Sequence, residues 1–239
     1  MKRLFFLLCL TLSLAFVACS LSAGKKGANS SNSKVHVGGR CEGCEAIYES
    51  PIPFEKLSTT DTLPDFNEPG PKIMISGIVY ERDGKTPAKD VVVYIYHTDQ
   101  SGNYTPGKNP KGWEKRHGYI RGWVKTDRNG FYKFYTLRPA AYPSRRDPQH
   151  IHVTIKEPDK NEYWIDEYLF EDDPLLVRKQ GEENKPRGGN GIVKLEQGNG
   201  LLQATRNIIL GLNVPDYPNA GLSVIGFGFA SLNALLNTL

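Results

Sequence analysis

Between Ile73 and Leu212 the chain is a succession of short β-branched and aromatic runs, each closed by a turn signal. No apolar period of 3.6 persists along it. The runs are Ile73–Glu81, Asp90–His97, Tyr119–Thr126, Phe131–Leu137, His150–Lys156, Tyr163–Phe170 and Gln203–Leu212, and His150–Lys156 alternates strictly. Val, Ile, Tyr and Phe suit a pleated, half-buried surface, and runs this short are strands rather than helices. Arg82–Lys85 contains Asp-Gly and Asp127–Gly130 contains Asn-Gly. These dipeptides favour the positive φ of tight loops, so each predicts a hairpin between its flanking strands. The fold class expected is all-β, a β-sandwich, with a loop-rich N-terminal segment. Composition agrees where it bears on the point: 12 Tyr against 2 Met disfavour a helical bundle, and 24 Gly with 16 Pro favour turns.

The two ends read differently. Lys2 and Arg3 precede an uncharged, mostly apolar run from Leu4 to Ala18, which is short for a membrane span and suits a signal-peptide core. The run ends Phe16-Val17-Ala18-Cys19-Ser20, which resembles a bacterial lipoprotein signal in which Cys19 is acylated and becomes the new N-terminus. Residues 1–18 are therefore expected to be a signal peptide and 19–40, rich in Ser, Gly, Asn and Lys, a flexible tether. The folded domain is expected over 41–218, followed by an uncharged apolar tail, 219–239, for which packing on the domain, disorder and membrane insertion all stay open. The expected location is the cell envelope, with the chain held to a bacterial membrane by lipid.

Charge argues against nucleic acid. The formal charge is +4, but without residues 1–18 there are 28 cations against 26 anions, a net +2, and no dense basic stripe. Nothing in the pattern selects an oligomeric state. Cys41 and Cys44 remain as a Cys-Glu-Gly-Cys pair, which outside the cytoplasm points to a local disulfide, with metal or redox chemistry as the alternative.

His150-Ile151-His152 is the first candidate site. On a strand, residues two apart share a face, and their Cα atoms stand roughly 6.5–7 Å apart, within reach of one metal. Ile151 and Val153 then face a core. The pattern by itself is equally that of two polar residues on a wet strand face.

The neighbourhood sharpens it. Tyr94–Asp99 with Gly102-Asn103-Tyr104, then Thr126–Tyr132, then Thr136–Pro143 and finally His150-Ile151-His152 together resemble the intradiol ring-cleavage dioxygenases. The resemblance covers about residues 70–175. It implies a non-haem Fe(III) held by two tyrosinates and two histidines, which match Tyr104, Tyr142, His150 and His152. Hard ferric iron favours anionic oxygen donors, and its charge lowers a phenol's pKa, ordinarily about 10, enough to keep it ionised. The partners implied are a small catecholic substrate and O2, and the product a muconate-type diacid, with Tyr142 as the ligand that leaves the metal during turnover. The members that cleave aromatic acids usually place an Arg three residues before the first His; here that residue is Asp147, with Arg145 or Arg146 the candidates to replace it in catalysis. A non-catalytic β-sandwich of similar ancestry, binding a ligand at the cell envelope, is the alternative.

Overall fold

The computed structural model describes residues 36–176 and 185–218. The signal-peptide and acylation readings at 1–18 and Cys19, most of the tether and the tail 219–239 lie outside the described residues.

Eleven strands are present among the described residues, in two sheets. They are β1 (Thr60–Thr62), β2 (Lys72–Tyr80), β3 (Val92–Tyr96), β4 (Arg121–Lys125), β5 (Phe131–Leu137), β6 (His150–Lys156), β7 (Tyr163–Phe170), β8 (Ile192–Val193), β9 (Glu196–Gly198), β10 (Leu201–Thr205) and β11 (Ile208–Ile209). One sheet runs β1-β5-β2-β10-β9, with β11 also on β2; the other runs β4-β3-β6-β7-β8. Among the described residues the one α-helical turn, α1, is Glu114–His117. This is the all-β sandwich expected.

Alternation builds the core. In β2, Ile73, Ile75 and Val79 point inward, and in β5, Tyr132, Phe134 and Thr136 do; they meet Val93, Ile95, Ile151, Val153 and Ile155 from the facing sheet. The run Val91–Ile95 is apolar without alternation because β3 is covered on both faces. Its outer residues Val92 and Tyr94 pack with Ala46, Ile47 and Trp123, so the 3₁₀ turn Cys44–Glu49 lies over the outer face of that sheet.

Two expectations are corrected here. The turns at Asp83-Gly84 and Asn129-Gly130 exist, closed by Gly84 N–H to Glu81 O and Gly130 N–H to Asp127 O. Neither makes a hairpin between its flanking strands. β2 pairs with β5 and β10, β3 with β4 and β6, so each turn carries the chain from one sheet to the other. Turn residues fix a change of direction; which strand is met next is decided by burial, and β3 needs cover on both faces. The second correction is the start of the domain. Val37 is fully buried in the core, its N–H donates to Asn161 Oδ1, and Gly38 N–H donates to Pro215 O. Residues 36–40 therefore belong to the fold and not to the tether.

The strand expected over Gln203–Leu212 divides into β10 and β11 at Arg206-Asn207. There the chain crosses Gly77 so closely that a Cβ on residue 77 would lie 1.8 Å from the Arg206 carbonyl oxygen.

Candidate metal centre

Three segments bring the site together. β6 carries His150 and His152. The connection from β3 to β4 carries Tyr104, and that from β5 to β6 carries Tyr142.

The Tyr104 loop is wound on Asp99, whose Oδ1 accepts from the backbone N–H of Ser101 and Asn103 while Oδ2 accepts from the Thr105 hydroxyl. Thr98 Oγ1 donates to Ala140 O at 2.7 Å, joining this loop to the next. Gly102, at φ 76°, sits where a Cβ would lie 2.2 Å from the Ala141 carbonyl oxygen, so only glycine lets the two loops approach this closely.

The four side chains meet in one line of contacts. His150 Nε2 lies 3.0 Å from the Tyr142 hydroxyl, which lies 2.7 Å from the Tyr104 hydroxyl, which lies 2.8 Å from His152 Nε2. His150 Nδ1 is 2.7 Å from the Pro148 carbonyl, an acceptor only, so Nδ1 bears a proton and Nε2 presents its lone pair. With both rings neutral the count closes one way: Tyr142 donates to His150, Tyr104 donates to Tyr142, and His152 Nε2–H donates to Tyr104. Burial pushes the Tyr104 phenol well above its ordinary pKa, reinforced by the Tyr142 contact; burial also raises Tyr142, opposed by its hydrogen bond with Tyr104 and reinforced by Asp147 and Glu167. Both therefore hold their protons when no cation is bound.

A cavity of about 360 Å³ opens over the cluster, walled by Tyr96, Trp113 and His117 as well as both tyrosines and His152. That is the lower end of the range for small-molecule sites. Tyr96 stacks on His152 at 4.5 Å and on His117 at 3.8 Å between ring centroids. Tyr96, at the end of β3, and His117, at the end of α1, both line the site. The β3–β6 register sets Tyr96 directly opposite His152 on one sheet face. Glu167, beside His152 with Oε1 3.9 Å from Nδ1, and Glu42, ion-paired with Arg116 at 2.7 Å on the cavity rim, carried no sequence signal of their own.

Cys41 and Cys44 are disulfide-bonded, with Cα atoms 5.8 Å apart, beside an adjoining depression that includes His152 and Glu167. Arg145 and Arg146 are not brought to the cluster. Both are exposed, and the loop turns at Arg145 (φ 48°), whose N–H returns to Tyr142 O. Arg121 pairs with Glu49 at 2.7 Å and lies over the Trp123 ring. Among the described residues no group of three or more His, Cys, Asp or Glu is placed to hold a metal.

Known proteins place the chain. Residues 48–180 match the family model described as dioxygenase. Over 131 residues the chain is 25% identical to the protocatechuate 3,4-dioxygenase beta chain of Burkholderia cepacia, a stretch that is 52% of this chain and 55% of that one. The chain thus spans about half the length of that curated relative. A point mutant of the catechol 1,2-dioxygenase of Acinetobacter radioresistens superposes with a TM-score of 0.50 at 17% identity, covering 69% of this chain and 60% of that one. The dioxygenase domain of a carbohydrate-binding fusion from Streptomyces sp. SirexAA-E gives 0.49 at 20% identity, over 67% and 94%. The likeness at 0.50 speaks to fold alone. The family match spans more than half of the residues and includes all three segments that carry the Tyr and His cluster, and the chain belongs to the intradiol ring-cleavage dioxygenase family.

Proposed function

We propose that the protein opens the ring of a catechol-type aromatic between its two hydroxyl-bearing carbons with O2, giving a muconate-type diacid, and that a ferric ion held by Tyr104, Tyr142, His150 and His152 serves the reaction. The observation that carries this reading is the meeting of four donor atoms from three segments at 2.7, 2.8 and 3.0 Å. Metal–N and metal–O bonds of about 2.0–2.2 Å set neighbouring donors about 2.8–3.4 Å apart, so these side chains need move little to share one ion. Two phenols and two imidazoles suit ferric iron, the phenolates matching its charge and hardness. A ferric ion there would supply a Lewis acid that binds both catechol oxygens and readies the ring for O2.

The chain's own groups have distinct tasks. Pro148 O holds the His150 tautomer and leaves Nε2 free to ligate. His152 would carry its proton on Nδ1, toward Glu167, once Nε2 is a ligand. Tyr142 is the phenol that takes up a substrate hydroxyl proton at its oxygen. Burial, then Asp147 and Glu167, raise its proton affinity, which suits a group that must hold that proton during turnover. Tyr96, Trp113 and His117 form an aromatic wall for the substrate ring and keep bulk water off the cluster.

Ferric-loaded full-length protein given catechol is expected to consume one O2 per ring opened and to form a muconate absorbance in the ultraviolet. No oxygen uptake, or a yellow semialdehyde from cleavage beside the diol, contradicts the reading. We also propose export and acylation at Cys19; Lys2, Arg3, the apolar run to Ala18 and the disulfide-bonded Cys41–Cys44 pair support it. A clickable fatty acid fed to expressing cells should label the wild-type chain and not Cys19→Ala; equal labelling of both contradicts it.

A further inference from the structure

His97, Thr136 and Asp65 form a polar chain inside the sandwich, each no more than 1% exposed. His97 Nε2 lies 2.7 Å from Thr136 Oγ1, and Thr136 Oγ1 lies 2.9 Å from Asp65 Oδ1. Asp65 Oδ2 accepts from Leu137 N–H. His97 Nδ1 is 2.8 Å from the Thr98 carbonyl, an acceptor only, so Nδ1 is protonated.

The hydroxyl of Thr136 has one proton for two contacts. Either His97 is doubly protonated and donates to Thr136, which donates to a charged Asp65, or Asp65 is protonated and donates to Thr136, which donates to neutral His97. Every hydrogen bond is made in both states, both are neutral as a whole, and both need one proton shared along the chain. Burial favours the uncharged form of each partner, driving Asp65 up to about 6 and His97 down to about 4.

The place of this chain in the fold gives it a task. His97 follows β3 at the root of the Tyr104 loop, and Thr136 stands near the end of β5 at the root of the Tyr142 loop. The two strands lie in different sheets. We propose that His97, Thr136 and Asp65 are positioning residues for the metal centre: their buried chain of contacts ties the roots of both tyrosine loops across the sandwich and so fixes the separation of the two phenol oxygens. This rests on the ferric-centre reading.

The experiment compares ferric-loaded wild type with Thr136→Val, Thr136→Ser and Asp65→Asn. The readouts are the visible tyrosinate-to-iron absorption and ferric affinity by chelator competition; circular dichroism of the metal-free proteins checks folding. Thr136→Val makes neither contact and is expected to lose about 10-fold in affinity, the low end for outer positioning groups, with a shifted or weakened band. Thr136→Ser restores both. Asp65→Asn places an amide donor toward Thr136 and an amide oxygen toward Leu137, so it keeps the chain connected and the band of wild type. A folded Thr136→Val with wild-type band and affinity overturns the proposal while leaving the iron reading intact. So does an Asp65→Asn that folds and loses the band, an arm that stands if the Val variant does not fold. A colourless wild type overturns the iron reading and this proposal with it.

Discussion

At the scale of single residues, the site is a problem in counting protons. Tyr104 and Tyr142 each hold one in the metal-free protein, so loading with ferric iron should release two protons per site. Affinity should accordingly rise with pH. Calorimetry in two buffers of different ionisation enthalpy reads the number; release of none contradicts tyrosinate ligation. The buried pair gives a second residue-scale prediction. Burial drives the Asp65 carboxyl up to about 6, so between about pH 4 and 6 the folded chain holds a proton that the unfolded chain has lost. Its contribution to stability therefore falls by ~3 kcal/mol as pH rises through that window. Burial drives His97 down to about 4, so between about 4 and 6.5 the unfolded chain holds the proton and stability rises with pH by a similar ~3 kcal/mol. The two slopes oppose each other. Glu68 beside Asp65 and His150 beside His97 are the other titratable groups acting on the pair. Asp65→Asn removes the falling slope, so its stability relative to wild type should rise from pH 4 to 6 in urea unfolding. A difference that stays constant across that range contradicts the assignment.

At the scale of elements, the strands were legible because alternation and β-branching are local. Phe131–Leu137, His150–Lys156 and Tyr163–Phe170 were bounded as the structure has them. Pairing was not legible, because Asp83-Gly84 and Asn129-Gly130 dictate only that the chain turns, and the choice between sheets depends on burial summed over distant segments. The same limit hid Tyr96, which joins the site only once β3 is laid beside β6. It also hid the turn Cys44–Glu49, whose Ile47 covers the outer face of β3 although most of that turn precedes the family match. Ile47→Ala should cost about 2–5 kcal/mol, as for other fully buried large-to-small changes, and near-wild-type urea stability would deny that cover a structural role. Gly77→Ala should destabilise by about 1–3 kcal/mol or more, since its Cβ meets a backbone carbonyl that cannot rotate away.

At the scale of the whole molecule, a sandwich of two sheets supplies the rigidity and three connecting segments supply the chemistry. The four proposed ligands were legible because two recurring loop motifs and a His-x-His strand preserve their order in the chain. The departure at Asp147 was legible too, but not its consequence: Arg145 and Arg146 are exposed and do not line the cavity, and the charged groups that act on Tyr142 are the carboxylates of Asp147 and Glu167. No helix among the described residues is long and apolar enough to cross a membrane. The central claim is that two phenolates and two imidazoles hold ferric iron, and it is read most directly in the visible spectrum of the ferric-loaded full-length protein. A strong tyrosinate charge-transfer band, altered by Tyr104→Phe and by Tyr142→Phe and shifted by added catechol, is the result predicted. A colourless protein, or a band that both substitutions leave untouched, would contradict it.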